Sequence, residues 1–408
     1  MKKGYLSQYF DGVALKMLSA VEADQTRSHQ HEYNATRKML DFMGRPAEHT
    51  KLDTRFLYLN DDDTEPVPED AFLTLYDSRK GQPRRSPEYR FYFPTTNVSL
   101  NACEGDLLVI AKRRDGGLLV VIAEGQSTIE RQIRWLFGVS VVDHPGFSVK
   151  SEMETEQDRI GFAARIVLEQ IGIQSDIDEP NYLDQMLIQF GGTFPTTQLF
   201  SAFARSTLQE IDAADAPDAV LLAWMDREEV LFRTLEKHLL ADQMQALFHA
   251  GTIDPDPVMK IAQSAFQRRK SRAGSALENH LEAVFNSHGI TYSRTAVTER
   301  NLKPDFIFPG IAHYRNPAFP SARLTMLASK TTSKDRWRQI LNEAARIPAK
   351  HLITLEPSIS ENQTSEMKSE QVQLVIPAFL HDTFTPAQRP WLMNVCGFLD
   401  VARSRQTA

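Results

Sequence analysis

Cysteine is nearly missing from this chain of 408 residues: Cys103 and Cys396 are its only two, far apart and without metal-ligand spacing. That excludes a disulfide-stapled scaffold and makes a reducing, cytoplasmic setting the expected one. Zinc spacing is lacking among the 11 histidines as well. His29 and His31 sit too close together on a loop, with no matching ligands nearby. No apolar run approaches the length of a membrane span, and Met1-Lys2-Lys3-Gly4-Tyr5 lacks the apolar core of a signal peptide. A basic excess is missing too. The formal net charge of −7 argues against non-specific coating of nucleic acid, although local patches rather than the sum decide specific binding. There are no internal repeats or low-complexity tracts.

What is present is an ordinary globular composition, 42% apolar and 24% charged, at a length that suits two or three domains. Residues 1–150 read as a β-rich, irregular barrel carrying a helix or two. Leu107–Ala111 and Leu118–Ile122 are apolar strands joined by Asp115-Gly116-Gly117, a hairpin turn. A short helix is expected over 127–137, and the acidic stretches 61–63 and 65–70 read as exposed loops. Residues 151–192 read as one helix, closed by Gly172, and a linker ending at Gly191-Gly192. Residues 193–408 form the last region. It shows a long helix over 221–248, a helix from Ser275 to His288 capped by Gly289, and strands near 306–308, 324–329 and 351–355. A further helix around Trp337 lies between the last two strands. Helix, strand, strand, helix, strand is the core order of a restriction-nuclease α/β sheet.

The chemistry concentrates in that last region. Lys303-Pro304-Asp305-Phe306 puts an Asp at the mouth of a strand, and Lys330 ends another. Glu343 follows 13 residues after Lys330, on a helix. It lies three residues after Ile340 and four before Ile347, so it borders the apolar stripe of Trp337, Ile340, Leu341, Ala344 and Ile347. Two carboxylates and an ammonium suit the task of holding Mg²⁺ and a water against a phosphodiester. The bland alternative is a partly buried salt bridge between Glu343 and Lys330.

Other charged groups carry two readings each. Lys334-Asp335-Arg336, with Arg338 in the next turn, either reads G and C edges in a major groove or is an exposed turn that caps the helix. Arg268, Arg269, Lys270 and Arg272 form one basic cluster, and Arg79, Lys80, Arg84, Arg85 and Arg90 form another. Each is either a DNA face or a solvated surface. Ser275-Ala276-Leu277-Glu278 has the form of a helix capping box. Tyr314 is a surface aromatic or a phosphate contact.

Arg268 to Gly274, Lys303 to Phe306 and Lys330 to Glu343 closely resemble the catalytic domain of EcoRII-type restriction endonucleases. The resemblance runs from about Phe194 nearly to the C-terminus. It implies a PD-(D/E)XK nuclease core that works as a dimer with Mg²⁺. It places Asp305, Lys330 and Glu343 in the active site with Glu278 and Tyr314 in support, and assigns Lys334, Asp335 and Arg336 to the outer C·G pairs. Ala328, two before the lysine, stands where many such nucleases carry an acid. The EcoRII branch moves that acid to the following helix, the role Glu343 would fill. Lys16 to Ala20, Ser28 to His31 and Tyr76 to Arg79 resemble, more weakly, the family's N-terminal effector domain, a DNA-binding pseudobarrel. The DNA face this implies comprises His29, His31, Arg79, Lys80, Arg84, Arg85 and Arg90. Residues from about 140 to 192 have no counterpart.

The expectation is a homodimeric, effector-dependent type II restriction endonuclease. It would cut double-stranded DNA at a short C·G-flanked site, with a cognate methyltransferase encoded elsewhere. Two rivals stand beside it. One is a modification-dependent or repair nuclease whose barrel reads a modified base; the other is a non-enzymatic DNA-binding regulator.

Overall fold

A computed structural model describes residues 2–23, 31–46, 48–62, 66–82, 84–139, 146–174, 179–208, 211–248, 254–332 and 334–407, without the side chains of 248 and 334–336. The chain divides into two compact units, Met1–Ser175 with Ser358–Gln363, and Asp176–Pro357 with Thr364–Ala408. This division falls inside the stretch read from sequence as a linker. The helix Leu183–Phe190 in that stretch is a packed element, with Met186 fully buried against Phe200, Leu231 and Leu235 of the second unit. Its glycine pair follows a helix end rather than a linker. No described helix is long and apolar enough to cross a membrane.

The first unit is built on an eight-stranded sheet in the order β2-β5-β4-β3-β7-β6-β1-β8. Its strands are β1 (Phe10–Met17), β2 (Glu32–Asn34), β3 (Thr50–Leu59), β4 (Glu69–Asp77), β5 (Tyr89–Tyr92), β6 (Leu107–Arg113), β7 (Leu118–Ala123) and β8 (Ser148–Lys150). All neighbours are antiparallel except β3 and β7. With β2 and β8 as free edges it is a half-barrel. Side chains alternate faces along a strand. Leu107, Val109 and Ala111 enter one core with Ile129, Ile133 and Val167 from the helices Thr128–Leu136 and Phe162–Gln170. Leu108 and Ile110 enter the other with Phe56, Leu73 and Phe91. Because both faces are covered, these strands read as unbroken apolar runs rather than alternating ones. The predicted hairpin is present, with Gly116 at φ 91° in its turn.

One loop expectation is corrected here. Glu69 and Asp70 open β4, where Asp70 lies directly opposite Arg55 and accepts from its Nε and Nη2 at 2.8 and 3.0 Å. Acidic residues on a solvated strand face look like loop until the cross-strand cation is known.

The second unit carries a five-stranded mixed sheet, β13-β12-β11-β10-β9. Its strands are β9 (Ser293–Arg294), β10 (Phe306–Phe308), β11 (Thr325–Ser329), β12 (Lys350–Ile353) and β13 (Val372–Val375). The pairs β9–β10 and β10–β11 are antiparallel, while β11–β12 and β12–β13 are parallel. This matches the expected order of helix, strand, strand, helix, strand. The helix expected from Ser275 instead begins at Pro255 and runs 33 residues to Ser287. Asp254 caps it by accepting from Asp256 N at 3.1 Å, with Pro255 in the first turn. Ser275 is therefore mid-helix and caps nothing. The stop at Gly289, φ 65°, is as predicted.

Phe285 from this helix is fully buried, edge-on to Phe306 and Phe308 with ring centroids 5.2 Å apart in each case. Phe285→Ala should cost about 3–5 kcal/mol, read as a lower urea midpoint. A loss under about 1 kcal/mol would show that this aromatic cluster does not hold helix to sheet.

Candidate active site

Asp305 immediately precedes β10, and Lys330 immediately follows β11. The register pairs Phe306 with Leu327, so Asp305 falls opposite Ala328. Lys330 is two residues beyond Ala328 and shares its face of the sheet. The two side chains meet: Lys330 Nζ lies 3.3 Å from Asp305 Oδ2. The same oxygen accepts the Ser329 backbone N–H at 2.8 Å, which fixes the carboxylate. Both groups are partly open, 15% exposed at Asp305 and 26% at Lys330.

Glu343 arrives by a different local geometry from the one expected. Lys334–Asn342 is a 3-10 helix, and Glu343 extends it by donating its N–H to Ile340 O at 3.0 Å. With three residues per turn, Trp337, Ile340 and Glu343 stack in one row. Trp337 and Ile340 are fully buried, so their row points Glu343 inward. Burial pushes the Glu343 carboxyl up from its ordinary pKa, and the negative charge of Asp305 adds to the shift, against Lys330 and Lys350.

Glu278 joins this group from the long helix. Burial raises its pKa as well, again with Asp305 adding to it. Arg294 on β9 holds its carboxylate by donating from Nη2 and Nε at 2.7 and 3.0 Å, and donates from Nη1 to Asn279 Oδ1 at 2.8 Å and to Glu282. Sequence reasoning missed Arg294, because nothing local links a strand arginine to a helix acid 16 residues earlier.

The remaining candidates are placed elsewhere. Tyr314 is buried, and its hydroxyl donates to Glu299 at 2.6 and 2.8 Å, its pKa pushed up to about 12, first by burial. It lines a cavity of about 410 Å³ with Glu299, Arg315 and Arg346. Buried and bonded in this way, it is not a surface aromatic. The basic cluster of the long helix is turned inward. Arg272 is 7% exposed between the rings of Phe200 and Phe232. Arg269 donates to Glu236 at 2.6 Å, and Arg268 lies 3.9 Å from the Phe194 ring centroid. These three hold helices together rather than forming a free basic face; Lys270 is exposed. Arg338 forks onto Glu366 at 2.6 and 3.0 Å. The side chains of Lys334, Asp335 and Arg336 lie outside the described residues.

In the first unit, Arg90 pairs with Glu32 at 2.6 Å and Glu88 at 2.7 Å, Arg79 pairs with Glu88, and Lys80 lies 3.6 Å from Glu48. Arg84 and Arg85 are exposed on the loop between β4 and β5, with no ion pair among the described residues. His31 packs beside Tyr92 and Phe93. His29 lies outside the described residues.

Carboxylate oxygens with no thiolate or imidazole among them form a donor set for a hard cation. No group of three or more His, Cys, Asp or Glu close enough to hold a metal occurs among the described residues. Asp305 and Glu343 would thus supply part of the shell, which suits Mg²⁺ because it keeps several waters. Glu278 and Glu343 are both raised first by burial and then by the charge of Asp305, so the site holds more negative charge than its surroundings favour.

Residues 232–399 match the family described as EcoRII C terminal. This matched region includes the mixed sheet. The chain is 44% identical over 186 residues to the type II restriction enzyme EcoRII of Escherichia coli, covering 45% of each. It is 30% identical over 132 residues to the type II restriction enzyme SsoII of Shigella sonnei, covering 30% of this chain and 42% of that one. The matches thus span less than half the length of either relative. A solved structure of metal-depleted Ecl18kI with uncleaved, modified DNA has a TM-score of 0.48 at 19% identity, covering 56% of this chain and 85% of that one. A PspGI complex with substrate DNA gives 0.44 at 16%, covering 52% and 94%.

The raised pKa values of Glu278 and Glu343 fix a sign. Without metal, the folded protein binds these protons more tightly than the unfolded chain does. Their contribution to stability therefore falls as pH rises from the ordinary Glu value of 4.5 through their folded values. Glu343→Gln should raise the melting temperature in EDTA at pH 8 by a few degrees, read by scanning calorimetry. A lower melting temperature in EDTA would contradict the charge excess.

Proposed function

We propose that this chain is a type II restriction endonuclease that hydrolyses phosphodiesters of double-stranded DNA with Mg²⁺. The observation that carries the reading is the Lys330 ammonium 3.3 Å from an Asp305 carboxylate already fixed by a backbone N–H, with Glu343 turned toward the same point. Asp305 and Glu343 would hold the cation, which when bound neutralises phosphate charge and acidifies a coordinated water. Lys330 orients the attacking water and stabilises the negative charge that develops on the phosphate oxygens. Ser329, through its backbone N–H, keeps one lone pair of Asp305 occupied so that the other carboxylate oxygen is free to ligate. Glu278, held by Arg294, adds negative potential and takes a hydrogen bond from solvent or substrate. The product ends would be 5′-phosphates.

The finer parts of the reading rest on the sequence. Lys334, Asp335 and Arg336 would recognise outer C·G pairs from the start of their helix. Two copies would pair, so that each cuts one strand of a short site, and a cognate methyltransferase would protect host DNA. The sheet of residues 1–150 would bind a second DNA copy as effector, with 193–408 as the catalytic region. Arg84 and Arg85 support that role, since they are the cations of their cluster left open to solvent without an ion pair among the described residues.

Cleavage of a long unmodified DNA with Mg²⁺, with every end sequenced, should give discrete ends sharing a C·G-flanked motif. Lys330→Ala should lower the rate by roughly 10²–10⁴-fold while duplex binding in Ca²⁺ persists. Cutting retained by that variant, or seen only on modified DNA, would overturn this reading. Replacing Arg84 and Arg85 together by Ala should flatten the slope of log affinity against log salt by about 2. An unchanged slope would remove them from the DNA face.

A further inference from the structure

We propose that Lys350 is a positioning residue for Glu343: its ammonium gathers backbone carbonyls of the turn that follows the Lys334–Asn342 helix and holds the turn from which Glu343 reaches the cation. The inference rests on the nuclease reading above. Lys350 is the first residue of β12 and is only 5% exposed. A lysine that deep is expected to pair with a carboxylate. This one does not, among the described residues. Nζ donates to Glu343 O at 2.6 Å and Ile347 O at 2.8 Å, with Ala344 O at 3.5 Å. An ammonium has three protons and here meets three carbonyls, all from the turn that follows the helix.

That turn needs holding. Ala344, fully buried, stands at φ 47°, in the left-handed region that a residue with a Cβ avoids. At the reversal Ala344 O accepts the Ile347 N–H at 2.8 Å, while the carbonyls at 343 and 347 converge on one point in an apolar interior that offers them no water. Lys350 supplies the donors, and it is fixed in turn by its place opposite Val372 of β13, in a strand whose next residues pair with β11. The chain thus links the strand that ends at Lys330 to the carboxylate of Glu343 through one buried cation. Burial lowers the Lys350 pKa, while the charges of Glu343 and Glu299 oppose that shift.

Positioning and simple charge neutralisation predict opposite signs. If Lys350 only balanced Glu343, removing it would tighten cation binding, because one positive charge would make room for another. If it positions the carboxylate, removing it loosens binding. Mn²⁺ titration of the full chain, followed by the electron paramagnetic resonance of free Mn²⁺, separates them. Lys350→Met should weaken Mn²⁺ binding by roughly 10–100-fold, the usual loss when a partner of a metal ligand is removed. The Mg²⁺ concentration needed for half-maximal cleavage should rise in parallel. Adding Ala344→Gly in the same chain should recover most of the affinity, because glycine takes the left-handed backbone without a held Cβ. Unchanged or tighter binding in Lys350→Met, or no recovery with Ala344→Gly, would overturn the proposal. Circular dichroism checks the fold. Should Lys350→Met fail to fold, Lys350→Leu, which likewise removes both the donors and the charge, is judged on the same sign. An unaltered chain that binds no Mn²⁺ would overturn the nuclease reading itself. An unaltered chain that binds and cleaves, beside an unaffected Lys350→Met, would overturn only the role of Lys350.

Discussion

The antiparallel register of β10 on β11 is the constraint on which the candidate site depends. Phe306 opposite Leu327 sets Asp305 against Ala328 and brings Lys330 onto the same face. A slip by one residue would send Lys330 to the side of the sheet away from Asp305. Slippage is resisted from both faces, since Phe306, Ile307, Phe308, Met326, Leu327 and Ala328 are all buried. The geometry of an ionic pair is thereby secured by apolar packing.

Around that pair the molecule accepts unfavourable electrostatics and offsets them locally. Glu278 and Glu343 are pushed toward protonation by burial and by Asp305, and each is countered by a cation from a different element. Arg294 reaches Glu278 from β9, while Lys330 and Lys350 flank Glu343 from the end of β11 and the start of β12. The acids come from a helix, a strand mouth and a 3-10 turn, and the sheet supplies every opposing charge. Distributing the set over so many elements means that the cluster forms only when the whole second unit is folded.

Strands β10, β11 and β12 were legible because they are short apolar runs, and Asp305 and Lys330 could be placed at their ends, whereas β9, a polar pair, and β13 were not read. The helix carrying Glu278 was misjudged in its extent. Ser275 followed by Glu278 satisfies the local rule for a helix start, yet the chain was already helical from Pro255, a case of context overriding a four-residue pattern. The basic run from Arg268 to Arg272 misled for a related reason. Guanidinium groups pack well on aromatic faces, and Phe194, Phe200 and Phe232 come from distant segments that no local reading could bring together. Much of the half-barrel was legible only at its hairpin. β1 and β3 have mixed composition and acquire their burial from partners far along the chain. Tyr314 looked available because its carboxylate partner, Glu299, sits 15 residues earlier on a turn.

Glu343 faces inward because a 3-10 helix repeats every three residues, not every 3.6. Its orientation is therefore a matter of phase. Removing or adding one or two residues between Trp337 and Glu343 would rotate the carboxylate by about a third or two thirds of a turn and deliver it to solvent. A change of three would return it to the row of Trp337 and Ile340. Length variation in this segment should thus come in threes, a reading frame imposed by backbone geometry rather than by the code.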